Sequence, residues 1–106
     1  MSGSRTITED DERLDNVHPG DILRHDFLIG IEIPVEEVAA GAGIGTEQIN
    51  KILDRVISID ANADLRLARY FGISEGFFLG LQIDYDLEEE RRTNGPALDR
   101  IVRRAA

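Results

Sequence analysis

The sequence predicts an all-α fold of five or six short helices, and three observations carry that reading. Apolar residues recur at helical spacing from residue 19 onward, no stretch alternates with the two-residue period of a strand, and residues 38–53 carry the spacing of a helix-turn-helix. A chain of 106 residues forms one domain with one core, burying roughly 60–65% of its unfolded surface. It contains no cysteine, which excludes a disulfide framework and a zinc-thiolate site.

Residues 1–16 hold five acidic and two basic groups without apolar periodicity, the composition of a disordered arm. The pattern changes at Val17, so the domain is expected over residues 17–92. Pro19 suits a first helical turn, and Ile22, Leu23, Phe27 and Leu28 form an apolar stripe, predicting a first helix over 19–29 closed by Gly30. The helix-turn-helix is placed at about 34–54. Its first helix is Pro34–Ala42, where Ala39 permits a close crossing and Gly43 can take the positive φ of a sharp turn. Its second begins at Gly45 or Thr46 and ends at Leu53, with Ile49, Ile52 and Leu53 on the core side.

Asp60 is a suitable N-cap for a fourth helix, Ala61–Phe71, with Leu67, Ala68 and Phe71 on one face and Gly72 beyond its end. Ser74 is expected to cap a fifth, in which Phe77, Phe78, Leu81 and Tyr85 are the bulky contacts and Asp86–Arg92 an extension. Asn94-Gly95-Pro96 reads as a break. Beyond it Leu98, Ile101, Val102 and Ala105 predict a short amphipathic helix within residues 93–106, with Arg100, Arg103 and Arg104 on its polar side.

The net charge is −9, distributed as −3 over residues 1–16, −6 over 17–85 and zero over 86–106. Nucleic-acid binders usually show a basic patch. Residues 34–60 instead set Lys51 and Arg55 against Glu36, Glu37, Glu47, Asp54 and Asp60. Apolar runs are short and the first residues lack a signal-peptide core, so a cytoplasmic protein without a membrane span is expected.

His18-Pro19-Gly20-Asp21-Ile22-Leu23, Phe27-Leu28, the helix-turn-helix, Leu65-Arg66-Leu67-Ala68-Arg69-Tyr70-Phe71-Gly72, Phe78-Leu79, Leu81-Gln82 and Tyr85-Asp86-Leu87 follow one another in an order worth comparing. Together they resemble the HigA group of antitoxins, the virulence-associated protein I type, within the Xre and Cro/C1, or lambda-repressor-like, helix-turn-helix proteins. The match spans about residues 17–88. The resemblance implies a homodimer that binds a palindromic operator, represses its own operon and neutralises a small RelE- or HigB-like, mRNA-cleaving toxin. Several positions depart from the family pattern. Pro34 and Val35 stand where a Ser or Thr cap and a Gln are usual, so one phosphate-contacting side chain is missing. Asp54-Arg55-Val56-Ile57-Ser58 replaces an Asn-Gly-Lys-Arg-Gly run, Asp64 occupies a small apolar position, and Phe78 replaces a Trp.

For DNA contact the candidates are Thr46, Glu47, Gln48, Asn50 and Lys51 on the exposed side of the third helix, with Arg55 beyond it. Gln and Asn suit adenine edges, Lys guanine or phosphate, and Glu a cytosine amino group. A merely solvated helix face is the alternative. Glu36 and Glu37 would compete with phosphate for the amides opening the second helix. The segment 77–87 carries more apolar area than one helix side hides, so a homodimer through it is expected, with Phe77, Phe78, Leu81 and Tyr85 the first candidates and Ile83 in the same group. Asp64 is expected to be partly exposed or paired with Arg66, Arg69 or another nearby basic residue. His18 and His25, seven residues apart, match no metal-ligand spacing and read as a residue opening the first helix and a surface residue. No catalytic constellation is legible, and no enzyme, metal or cofactor is expected. Two other functions stay open: a toxin-binding module with weak or lost DNA affinity, and a free-standing Xre-family transcription factor.

Overall fold

The computed structural model describes residues 15–105. These form α1 (Pro19–Ile22), a π-helical continuation (Leu23–Ile29), α2 (Val35–Ala42), α3 (Thr46–Leu53), α4 (Ala61–Phe71) and α5 (Phe77–Asp99), without a strand among the described residues. No helix among them is long and apolar enough to cross a membrane. The core joins Leu23, Val38, Ile49, Ile52, Ile59, Leu67 and Phe78, all essentially fully buried and drawn from every helix or its flank.

His18 opens α1. Its Nδ1 accepts the Gly20 amide at 2.9 Å, while the Asp21 carboxylate accepts the His18 amide at 3.1 Å, a reciprocal capping box with Pro19 in the first turn. The predicted single α-helix over 19–29 widens at Leu23 into π geometry. Gly30 N–H bonds His25 O at 3.1 Å, five residues back. That wider turn suits Leu23 and Leu28, which lie five apart and are both buried, whereas α-helical spacing would separate them. Phe27 from the same segment packs on Phe71 and Phe78, with ring centroids 4.6 and 5.4 Å away.

Asp60 caps α4 by accepting the Ala63 amide at 2.9 Å, as expected from sequence. The start of α5 differs from expectation. Its N-cap is Gly76 at φ 96, not Ser74, and the capping carboxylate comes from α4. Asp64, only 2% exposed, accepts the amides of Gly76 at 2.6 Å and Leu79 at 2.9 Å. The expectation of an exposed or arginine-paired Asp64 is therefore corrected: orphan amides at a helix N-terminus satisfy the charge in place of a cation. Buried Gln82 likewise accepts the Ile59 amide at 2.9 Å, tying α5 to the strandless connection before α4.

The break at Asn94 is present, but the tail departs from expectation. Asn94 leaves helical geometry at φ −119, ψ 20, and the helix resumes with Pro96 in its first new turn, where a missing amide costs little. Helix ends at Asp99, so residues 101–105 do not continue the predicted amphipathic helix. Ile101 and Val102 are exposed, and so short a helix with nothing covering its apolar side gains too little to extend. Of the predicted N-terminal arm, residues 1–14 lie outside the described residues. Asn16 belongs to the folded unit: its side chain donates to Tyr85 O at 2.8 Å and to Glu89 at 3.1 Å.

Candidate nucleic-acid interface

Gly43 at φ 72 ends α2 and turns the chain into α3, its amide bonding Ala39 O at 2.9 Å. Two contacts then fix α3, and a third fixes the end of α2 before it. Ile49, Ile52 and Leu53 seat it in the core. Gly20 at the start of α1 lies against its C-terminal end, where an added Cβ would sit 2.2 Å from Ile52 O. Arg66 on α4 donates to Ala42 O at 3.3 Å, holding the carbonyl end of α2 beside the turn. On α2, Gly41 lets Tyr70 approach so closely that an added Cβ would meet the ring at 2.1 Å.

The face of α3 opposite the core is polar. Glu47, Asn50 and Lys51 are exposed, Thr46 and Gln48 half-buried, and Asp54 continues the same face one turn on. The basic groups around it are matched by carboxylates. Lys51 Nζ lies 3.5 Å from Glu47, and Arg24 on the π-helical segment lies 3.7 Å from Asp54. Arg55, at φ 63, forks onto Asp21 at 2.5 and 3.3 Å.

That fork changes the reading of Arg55. Burial alone would raise the Asp21 carboxyl, but the Arg55 guanidinium and the His18 amide outweigh it and hold Asp21 below the ordinary carboxylate range. The hydrogen bond to Asp21 raises Arg55 in turn. Bidentate pairing of this kind ties α1 to the end of α3 and leaves Arg55 a structural clasp. His18, beside that clasp and edge-on to Tyr85 at 4.8 Å, has its imidazole pKa lowered by burial, more than Asp21 raises it.

The candidate dimer residues divide. Phe78 is completely buried in the protomer's own core, Leu81 is half-buried against that core and Tyr85 is half-buried edge-on to His18, so these three face inward. Phe77 remains 41% exposed. On the opposite side of α5, Gly80, Ile83 and Leu87 form an exposed stripe, with nothing within 4 Å of a Cβ built on Gly80. Of the segment 77–87, Ile83 and Leu87 lie on the outward side, set by the helical angle to buried Phe78 and Gln82. Arg24 and Gly20 were also missed as contributors to α3; the spacing to Asp54 and Ile52 exists only in the fold. Among the described residues no group of three or more His, Asp or Glu could hold a metal ion.

No family model matches the sequence. The virulence-associated protein I of Dichelobacter nodosus is 35% identical over 72 residues, 68% of this chain and 67% of that protein. The structure is similar to Pseudomonas aeruginosa antitoxin HigA, solved with the higBA promoter, at TM-score 0.79 and 29% identity, over 87% of this chain and all of that one. It is similar also to a Pseudomonas aeruginosa protein in complex with its 18-bp operator DNA, at TM-score 0.80 and 30% identity, over 86% and 96% of the two chains. Membership among antitoxins agrees with the expectation that the chain is not an enzyme. From the shared sequence, the five-helix order and the turn at Gly43, the chain belongs to the HigA-type, virulence-associated protein I-like family of helix-turn-helix antitoxins.

Proposed function

We propose that this protein is an antitoxin and autorepressor that binds a palindromic operator as a homodimer and neutralises a RelE-like, mRNA-cleaving toxin. The observation that carries the DNA part is the polar face of α3, held outward by apolar residues on its other side and by a glycine turn in left-handed geometry. Relatives of this fold have been solved with promoter or operator DNA. Gln48 and Asn50 would read base edges in the major groove, Thr46 and Glu47 would flank them, and Lys51 would hold phosphate. The exposed Phe77, Ile83 and Leu87 are the proposed dimer surface, and two α3 helices reading a palindrome would have to lie about one DNA turn, roughly 34 Å, apart.

The toxin assignment rests on the family alone. A second reading, a toxin-binding module with weak DNA affinity, is favoured by the ion pairs that occupy Lys51 and Arg55. A gel-shift titration of the region upstream of the gene, with and without the co-expressed neighbouring protein, separates them. A shift by the protein alone supports the repressor. A shift only with the neighbour supports the second reading, and no shift in either case removes operon repression.

A further inference from the structure

Arg24 and Arg55 are both near the C-terminal end of α3, yet their pairings are of different kinds. Arg55 makes two hydrogen bonds to Asp21, which is itself tied to the capping amide of His18. Arg24 meets Asp54 at a single, longer distance of 3.7 Å, with side chains 43% and 67% exposed. Exposed pairs at such distances contribute little to stability and exchange readily. Asp54 also lies on the same helical face as Glu47, Asn50 and Lys51, so the Arg24 guanidinium borders the face that would meet DNA.

Resting on the operator-binding reading, we propose that Arg24, and not Arg55, is the second phosphate-binding cation of each α3 face, and that Asp54 is its built-in competitor, suppressing binding to DNA of any sequence. On DNA, Arg24 exchanges the Asp54 carboxylate for a phosphate. The face carries Lys51, Arg24 and Arg55 against Glu47, Asp54 and Asp21, so its charges cancel and electrostatic attraction to arbitrary DNA is small. Sequence-specific contacts through Gln48 and Asn50 are then required before the exchange is worthwhile, which makes Asp54 a specificity determinant although it touches no base.

The test is the salt dependence of binding by the full chain, measured by fluorescence anisotropy on the upstream operator and on a scrambled duplex. Asp54→Asn keeps a residue suited to a helix C-terminus. It is expected to tighten both duplexes and, on the scrambled duplex, where wild-type Arg24 stays on Asp54, to steepen the slope of log K against log salt by about 0.9 per subunit. For a dimer that corresponds to at most about 60-fold at 0.1 M salt relative to 1 M. On the scrambled duplex adding Arg24→Gln should restore the wild-type slope, and adding Arg55→Gln should not. On the scrambled duplex an unchanged slope in Asp54→Asn, a gain that survives Arg24→Gln, or a gain abolished only by Arg55→Gln would each overturn the assignment. Wild-type protein that fails to distinguish operator from scrambled DNA would remove the operator-binding reading instead, while the scrambled duplex would still report on Asp54.

Discussion

Asp64 is the buried charge on which the start of α5 depends, and its replacement should be costly. The carboxylate is 2% exposed and accepts two amides, Gly76 at 2.6 Å and Leu79 at 2.9 Å. Hydrogen bonds to a charged group contribute about 1.5 kcal/mol or more each, and Asp64→Ala leaves both amides without an acceptor. A loss of about 3 kcal/mol follows. Gly76 at φ 96 would lose the contact that holds its turn, so the first turn of α5 should fray as well. Asp64→Asn keeps one acceptor oxygen and should lose roughly half as much. Urea unfolding followed by circular dichroism measures both, and a shift of roughly 12–24 °C in Tm should accompany the alanine variant. If Asp64→Ala cost less than about 1 kcal/mol, no more than an ordinary exposed cap, the account of how α4 nucleates α5 would be wrong.

Three further outcomes are expected. Gly20→Ala places a methyl 2.2 Å from the Ile52 carbonyl oxygen, main chain that cannot turn away, so α1 and α3 must separate at a cost of about 2 kcal/mol, read by urea unfolding. Because burial lowers the folded pKa of His18, its contribution to stability is present above the ordinary histidine value of about 6.5 and is lost as pH falls through the lower folded value. His18→Asn retains a capping acceptor without the titration, so unfolding free energies across that window should flatten. Leu87→Asp, on the exposed stripe of α5, should give a folded monomer by light scattering, whereas Phe78→Asp should unfold the protomer; a Leu87→Asp dimer of unchanged affinity would move the interface elsewhere.

Much of the architecture was legible because local chemistry and global fold agree. Asp60, Gly43 and Gly72 mark helix ends through cap oxygens and positive φ, signals confined to neighbouring residues. The same holds for the apolar side of α3, which follows from helical spacing at Ile49, Ile52 and Leu53. What was hidden depends on groups far apart in the chain. Asp64 is explained only by amides 12 and 15 residues away, and the widening at Leu23 only by the need to bury Leu28 beside it. Arg55 looked available for DNA since its partner lies 34 residues earlier, and Phe78 looked like interface because size does not say which way a side chain faces.

Operator reading by the polar face of α3 would depend on Gln48 and Asn50. Gln48→Ala and Asn50→Ala remove side chains that are outside the core, so the fold should persist while base recognition is lost. Their affinities for the upstream operator and for a scrambled duplex, compared with wild type at one salt concentration, measure that dependence. Each variant is expected to weaken operator binding by about 1–3 kcal/mol and leave the scrambled duplex unaffected. Equal loss on both duplexes, or no loss on either, would contradict recognition through α3.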